Sequence, residues 1–304
     1  MAITHGVHAL VWTGGWTAEE ARHAIASSRE AGYDLIEIAP IDPTAFDPDM
    51  TARLLEEHGM KVSASLGLSA DTDVSSEDPE VVARGRERLS RALDVLRDSG
   101  GDVLCGVLYS KLGKYAGPAT ERGRANSQES IAWLADKAAA SGITLALEFC
   151  NRYETNVMNT TQETLDFIAA VDRPNVMAHL DTYHMNIEEH SFAGAVRAAA
   201  AAGRLGYVHV GESHRGALGT GSIPWGEFFG ALTEVGYDGI VTFESFSSEV
   251  VHRTLSNDLA IWRNLWTDNA ALARDALAFT KAGLRTAAER APSAGAGAVA
   301  GRGV

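Results

Sequence analysis

A helix-like segment that ends in glycine and is followed by a short apolar run recurs along the chain, and this repetition constrains the fold most. Glycine is suited to the left-handed position just past the end of a helix. Six such boundaries lie at Gly32, Gly59, Gly100, Gly142, Gly203 and Gly236. A seventh uses Arg173-Pro174, where proline stops the helix.

A β-rich apolar run follows each boundary, and one more opens the chain. The eight predicted strands are Gly6–Trp12, Leu35–Pro40, Val62–Leu68, Val103–Tyr109, Thr144–Cys150, Val176–Asp181, Leu205–Gly211 and Gly239–Phe246. Strands that alternate with helices indicate a parallel sheet. Runs such as Leu145-Ala146-Leu147 are apolar on both faces, as in a sheet covered by helices.

We therefore predict an α/β protein with a single (β/α)8 TIM barrel over residues 1–290. A length of 304 residues suits one such domain. A doubly wound open sheet is the alternative, but no Gly-x-Gly-x-x-Gly turn follows the first strand. Residues Ala291–Val304 are rich in alanine and glycine, which predicts a flexible C-terminal tail.

The helices have recognisable starting signals. Thr17 and Glu20 form a predicted capping box, and Thr160 and Glu163 repeat it. These two signals place helices after the first and fifth strands.

Charge and composition exclude several classes of partner. The net charge is −14, so the surface repels a phosphate backbone, and nucleic acid is not an expected partner. No apolar run reaches roughly 18 residues, which argues against a membrane span. The N-terminus lacks a secretion signal, and Cys105 and Cys150 lie in apolar runs as buried thiols would. We expect a cytoplasmic protein.

Ionisable residues stand where four consecutive predicted strands end. They are Glu148, Asp181, His209 and Glu244, separated by 33, 28 and 35 residues. Each separation is about one strand–helix unit, and working residues of such barrels lie at the carboxyl ends of the strands. The four side chains are therefore predicted to converge on one point.

Three carboxylates and an imidazole in one place would be unstable without a balancing charge. A divalent cation between them removes the repulsion. Oxygen-dominated ligation with one histidine suits Mn²⁺, Mg²⁺ or Co²⁺. The alternative interpretation is that each residue ends its strand as an ordinary ion-pair or hydrogen-bond partner.

A second set of polar residues follows the same strands. Glu154, His184 and Arg215 are placed to hydrogen-bond a polyhydroxylated ligand, although each could simply be solvated in a loop. The glycine-rich stretch Gly216–Gly221 could hold a phosphate, but the neighbouring Glu212 and the overall charge oppose an anion.

The first strand and its loop carry two further candidates. Trp12 could stack on the C–H face of a sugar or pack in the core, and His8 could face the mouth of the barrel. Both are therefore predicted ligand-binding residues with a structural alternative.

Several motifs resemble those of one family. They are Leu147-Glu148 with Asn151-Arg152-Tyr153-Glu154-Thr155-Asn156, then His179 to Asn186, His209 to Arg215, Ser63 to Leu68, Tyr237-Asp238-Gly239 and Phe243 to Phe246. The chain resembles, over almost its whole length, the D-tagatose, D-allulose and L-ribulose 3-epimerases of the xylose isomerase-like barrel superfamily.

This resemblance implies an enzyme that inverts C3 of free ketoses by exchanging protons between two glutamates through a cis-enediolate. The implied substrate pairs are D-fructose/D-allulose, D-tagatose/D-sorbose and L-ribulose/L-xylulose. The family's metal site, one Mn²⁺ (or Co²⁺ or Mg²⁺) per subunit, would fall on the four strand-end residues. Its two acid–bases would be Glu148 and Glu244. A homodimer or homotetramer is also implied.

The family's substrate-orienting residues would be Glu154, His184 and Arg215. Two positions depart from the family pattern: His8 stands where an aromatic residue is frequent, and Ser65 where some members have cysteine. These departures bear on which ketose is preferred.

Three other functions are open at this point. An aldose–ketose isomerase of the hydroxypyruvate or xylose type would use a similar barrel. A barrel endonuclease would need a histidine-rich zinc site and a basic face, which the acidic composition opposes. A non-catalytic sugar-binding barrel is opposed by the intact pair of glutamates.

Overall fold

The computed structural model describes residues 3–40 and 42–290, which contain eight β-strands. The predicted tail, Ala291–Val304, lies outside the described residues. The strands are β1 (Thr4–His8), β2 (Leu35–Ile38), β3 (Lys61–Ser65), β4 (Val103–Gly106), β5 (Thr144–Glu148), β6 (Val176–Asp181), β7 (Leu205–Val210) and β8 (Ile240–Phe243).

The strands form a closed parallel barrel in chain order. β1 closes the ring against β8, with Val7 opposite Phe243. The predicted (β/α)8 barrel is confirmed, but several strands are shorter than predicted. The first ends at His8, because the chain turns into a 3₁₀ helix over Ala9–Val11, and the fourth ends at Gly106.

Helices surround the barrel. They are α1 (Ala18–Ala31), α2 (Pro48–His58), α3 (Pro79–Asp98), α4 (Glu121–Ala139), α5 (Thr161–Val171), α6 (Thr182–Glu188), α7 (Phe192–Ala201), α8 (Trp225–Glu234), α9 (Arg253–Asp258) and α10 (Asn269–Arg290). α10 packs against both α8 and α1, and so completes the outer ring. None of the helices within the described ranges is both long and apolar enough to cross a membrane.

The local signals of the sequence act as predicted. Both capping boxes form, Thr17 with Glu20 and Thr160 with Glu163. All six boundary glycines have positive φ, for example 95° at Gly32, where any side chain would be strained. The capping boxes mark the starts of α1 and α5, and the six glycines mark the ends of α1, α2, α3, α4, α7 and α8, each of which is followed by a strand a few residues later.

The main core occupies the space between barrel and helices and includes Cys150, whereas Cys105 packs with Ala146 and Tyr207 in a separate buried cluster. Both cysteines are free thiols. A second, smaller apolar cluster lies beside the carboxyl end of the barrel. It consists of Leu10, Phe246, Val251 and Ile261, with Leu255 of α9 packed against it. This cluster places α9 next to the mouth of the barrel.

Candidate active site

The four predicted strand-end residues meet at the carboxyl end of the barrel. Glu148 and Asp181 end β5 and β6, His209 is the penultimate residue of β7, and Glu244 follows β8 directly. Nδ1 of His209 lies 3.5 Å from Asp181 Oδ2, 3.5 Å from Glu244 Oε1 and 3.7 Å from Glu148 Oε1. All four side chains are buried, so the predicted convergence is found.

Two atoms at this centre suit a cation. Asp181 Oδ1 accepts a hydrogen bond from the N–H of Tyr183, but Asp181 Oδ2 has no hydrogen-bond partner, and neither does His209 Nδ1. Donor atoms of Glu148, Asp181 and His209 all lie within 4.8 Å of one another. Buried polar atoms without partners are costly. A set of carboxylate oxygens and one imidazole nitrogen fits Mn²⁺, Mg²⁺ or Co²⁺.

The pKa values of two carboxyl groups at the centre are shifted from their ordinary values. Burial raises the pKa of Glu244 well above its ordinary value, and the carboxylates of Asp181 and Glu148 raise it further. Burial also raises the pKa of Glu148, but His179 and His209 outweigh it, and the net shift is downward. The upward shift at Glu244 comes mainly from burial, with a smaller part from the neighbouring carboxylates, and positive charge close to these carboxylates stabilises their ionised forms.

A hydrogen-bonded network borders the centre on one side. Nδ1 of His184 accepts from the side-chain amide of Asn151 at 2.9 Å and from its backbone N–H at 3.1 Å. The other ring nitrogen, Nε2, therefore carries the proton and lies 3.7 Å from Glu148 Oε1. The Asn151 amide also donates to Glu154 Oε1 at 3.1 Å. This network gives His184 one defined orientation beside the carboxylates.

Arg215 joins this network to the centre. Its Nη1 donates to Glu244 Oε2 at 3.0 Å, and its Nη2 lies 3.5 Å from Glu154 Oε1. The guanidinium also packs over the ring of Tyr183, 4.0 Å from the ring centre, and over that of Phe246. A buried guanidinium that packs against two aromatic rings and pairs with two carboxylates is a rigid hydrogen-bond donor.

A cavity of about 250 Å³ opens beside these residues. This volume is near the lower limit of ligand pockets, which suits a small ligand. The polar residues form one wall. Leucines contribute much of the rest, namely Leu10, Leu66, Leu68, Leu112, Leu255 and Leu259.

His8 and Ser65 both line the cavity, and they contact each other. Nδ1 of His8 accepts from the backbone N–H of Leu10, so its Nε2 carries the proton and donates to Ser65 Oγ at 3.1 Å. Trp12 is not among the described residues that line the cavity. The 3₁₀ turn after β1 carries Trp12 into the core, where it packs edge-on against His23.

The glycine-rich stretch after β7 encloses a carboxylate of the protein itself. Glu212 accepts hydrogen bonds from the N–H groups of Ser213 and Gly219, both at 2.8 Å, and from Nε1 of Trp225. These donors are therefore occupied, which agrees with the expectation that the loop does not favour a phosphate.

Two buried polar residues near the centre were not singled out from the sequence. Glu37 of β2 contacts His209 from below, and Nδ1 of His179 lies 4.0 Å from Glu148 Oε2. Both interrupt apolar runs, Leu35–Ile38 and Val176–Leu180. A lone ionisable residue inside an apolar strand is the signal that could have identified them.

Comparison with known proteins places this chain in a family. The family model described as xylose isomerase-like TIM barrel matches residues 25–283. The chain is 56% identical over 279 residues to an L-ribulose 3-epimerase of Methylomonas sp. (strain DH-1), covering 92% of this chain and 97% of that protein. It is 52% identical to a ketose 3-epimerase of Arthrobacter globiformis, covering 91% and 95% of the two chains.

Solved structures agree with this assignment. The crystal structure of a D-allulose 3-epimerase from Methylomonas sp. in complex with D-allulose superposes with a TM-score of 0.90 at 56% identity, covering 92% of this chain and 97% of that one. The chain therefore belongs to the ketose 3-epimerases, a group of isomerases within the xylose isomerase-like TIM barrel family.

Proposed function

We propose that this protein is a divalent-metal-dependent epimerase that inverts C3 of free ketoses, with D-allulose and L-ribulose among its substrates. The observation that carries the proposal is the meeting of three buried carboxylates around His209 Nδ1, at 3.5 to 3.7 Å, on the polar wall of a small cavity. The names of the similar proteins support the choice of ketoses.

Glu148, Asp181, His209 and Glu244 would hold one Mn²⁺, Co²⁺ or Mg²⁺. When bound, the cation would act as a Lewis acid that makes the C3–H of the ketose more acidic and stabilises the enediolate charge. The partnerless atoms Asp181 Oδ2 and His209 Nδ1 support this assignment.

Glu148 and Glu244 would perform the proton transfers. Inversion at C3 needs one base that removes a proton from one face and one acid that delivers a proton to the other. The two glutamates come from β5 and from the end of β8, on opposite sides of Asp181 and His209 in the barrel order. They would exchange the roles of base and acid when the reaction runs in reverse.

The polar network would orient the sugar. Nε2–H of His184 and the guanidinium of Arg215 are donors suited to the oxygens at C1 and C2. Glu154 is a matching acceptor for a hydroxyl group, held in place by Asn151. Two donors and one acceptor in fixed positions favour one orientation of a polyol in the cavity. His8 and Ser65 would contact the far end of the ketose.

The test is epimerisation of D-allulose in D₂O by the Mn²⁺-loaded protein, followed by NMR. We expect D-fructose with deuterium at C3, because the proton delivered comes from a carboxylate that exchanges with solvent. An aldose product, or inversion without label at C3, contradicts the proposal. The first of these outcomes would indicate an aldose–ketose isomerase. A chelated sample is the control.

We further propose that the protein acts in the cytoplasm as a homodimer or homotetramer. The family resemblance supports the oligomer, and the two buried thiols support a reducing compartment. Light scattering on a size-exclusion column tests the subunit number, and a monomer would contradict it.

A further inference from the structure

One charged residue lies fully buried below the candidate metal centre, inside the barrel. Glu37 of β2 has no solvent-exposed surface. Its Oε2 lies 2.8 Å from Nε2 of His209 and accepts from the hydroxyl of Tyr207 at 2.7 Å. The ring of His209 therefore spans the distance between the Glu37 carboxylate on one side and the three carboxylates of the centre on the other.

The hydrogen bonds around Glu37 allow one arrangement of protons. The hydroxyl of Tyr207 carries a single proton, and it donates this proton to Glu37 Oε2 at 2.7 Å. The same hydroxyl then accepts from Ser63 and from Thr242, each at 2.8 Å. Glu37 is left as an anionic acceptor with two donors on the same oxygen.

An ionised carboxylate only accepts hydrogen bonds. The proton between Glu37 and His209 must therefore reside on Nε2 of His209. That leaves Nδ1, which faces Asp181 Oδ2 at 3.5 Å, as the ring nitrogen available to a cation. The opposite tautomer would bring two acceptors together at 2.8 Å and direct a proton at the metal centre.

We infer that Glu37 is a positioning residue for the metal: it fixes the tautomer and the orientation of His209 and increases the electron density on Nδ1. The inference rests on the proposed function, because it gives Glu37 a role only if His209 binds a cation. Carboxylate–histidine–metal arrangements of this kind orient the ligand and raise its basicity.

The burial of Glu37 also favours a positive charge near His209. A buried carboxylate is costly unless charge and hydrogen bonds compensate it. The described neighbours of Glu37 Oε2 supply two hydrogen bonds, and the other oxygen, Oε1, has no hydrogen-bond partner and lies 3.5 Å from Nε2 of His8. A divalent cation bound on the far side of His209 would supply positive charge that helps to compensate the buried carboxylate.

The experiment measures Mn²⁺ binding to the metal-free protein by calorimetry. In Glu37→Gln the shape is kept, but the charge is lost and an amide replaces one oxygen. We expect the Kd for Mn²⁺ to rise 10- to 100-fold and the visible absorption spectrum of the Co²⁺-loaded protein to change. Ser63→Ala is the matched control, because it removes a hydrogen bond from the same buried network without touching Glu37. Its Kd should stay within about threefold of the wild-type value.

The outcomes separate this inference from the proposed function. In one outcome, the wild type binds Mn²⁺ and epimerises ketoses, and a folded Glu37→Gln protein has a Kd for Mn²⁺ within twofold of the wild-type value. Only the role of Glu37 is then overturned. If the wild type binds no divalent cation, the proposed metal dependence fails and the role of Glu37 fails with it.

A second measurement covers the case in which Glu37→Gln does not fold. The wild type is labelled with ¹⁵N-histidine, loaded with Mg²⁺ and studied by NMR, with the His209 signals assigned by comparison with His209→Ala. We expect a proton on Nε2 of His209 and none on Nδ1. A proton on Nδ1, or an unprotonated Nε2, overturns the inference.

Discussion

Arg215 and Glu244 form a buried ion pair in which each partner also faces a second group. Nη1 of Arg215 lies 3.0 Å from Glu244 Oε2, while Glu244 Oε1 lies 3.5 Å from His209 Nδ1. Arg215 adopts a left-handed backbone conformation, with φ of 60°, which is uncommon for a residue other than glycine. This uncommon backbone conformation thus occurs at the residue that connects the network of Asn151, Glu154 and His184 to the candidate metal centre.

Arg215→Lys should lower kcat/KM for D-allulose at least tenfold. Lysine keeps the charge, but one ammonium cannot hold Glu244 and Glu154 at the same time as a planar guanidinium can. Steady-state kinetics at saturating Mn²⁺ measure the change. The control is Arg197→Lys, whose ion pair with Glu234 is more than half exposed and should change kcat/KM less than twofold. Equal effects of the two substitutions would contradict the role of Arg215.

Glu148→Gln and Glu244→Gln should each reduce epimerisation by about 10²- to 10⁴-fold at saturating Mn²⁺. Each variant keeps one carboxylate, which can still remove and return the C3 proton of the epimer that faces it. We therefore expect deuterium uptake from D₂O into one epimer only, with opposite preferences in the two variants. NMR of D-allulose and D-fructose incubated separately measures the uptake. Epimerisation above a tenth of the wild-type rate in both variants argues against the two-glutamate mechanism.

Removing the metal should abolish turnover and destabilise the fold. Repulsion among Glu148, Asp181 and Glu244 is then no longer balanced by a cation. Mn²⁺ at about one hundred times its Kd should stabilise the protein by about 2.7 kcal/mol, visible as a higher melting temperature. Added Mn²⁺ or Co²⁺ should restore activity. Elemental analysis checks that the metal has been removed. Full activity in such a metal-free sample would exclude a role for the metal in turnover.

Ser65→Ala should change sugar preference and leave the metal site intact. The substitution removes the acceptor 3.1 Å from His8 Nε2 on the wall of the cavity. Loss of one hydrogen bond, about 1 kcal/mol, should shift the ratio of kcat/KM values for D-allulose and L-ribulose by about fivefold. The Kd for Mn²⁺ should be unchanged. Equal losses on both sugars would show that Ser65 does not discriminate between them.

Because of Glu212, the free energy of unfolding should decrease when the pH is lowered into the acid range. Burial raises the pKa of Glu212, but hydrogen bonds from Ser213, Trp225 and Gly219 outweigh it, so the pKa in the folded protein lies below its ordinary value of 4.5. The carboxylate therefore stabilises the fold fully above pH 4.5, and this contribution is lost as the pH falls from 4.5 through the lower pKa that Glu212 has in the folded protein.

The measurement is the melting temperature of Glu212→Gln between pH 3 and pH 7 compared with that of wild type. The amide cannot satisfy every donor around it, so stability at pH 7 should fall by about 1 to 3 kcal/mol. The difference from wild type should narrow at low pH. A constant difference over the whole range would show that the charge of Glu212 does not contribute.

The pattern along the chain was sufficient to predict the barrel and the convergence of the four residues of the candidate active site. Helix ends marked by glycine and caps such as Thr17 with Glu20 act locally, so they can be identified in the sequence. The separations between Glu148, Asp181, His209 and Glu244 match the strand–helix repeat, and a closed parallel barrel brings such residues to one end. Their convergence therefore follows from chain order alone.

Contacts between distant strands were not predictable in this way. Glu37 is 172 residues from His209 in the chain, and only closure of the barrel brings their side chains to 2.8 Å. Trp12 is a residue that the local structure moves away from the cavity. The short 3₁₀ turn after β1 places this predicted sugar-binding residue in the core.

The sequence by itself determined the fold class and the four residues of the candidate metal centre, because helix ends and strand periodicity depend on neighbours in the chain. The tertiary structure decided the tautomers of His184 and His8, the pairing of Arg215 with Glu244 and the burial of Glu37. Those features depend on distances of a few ångströms between side chains on different strands and loops. Such distances are set by how the whole barrel packs, and no short stretch of sequence contains them.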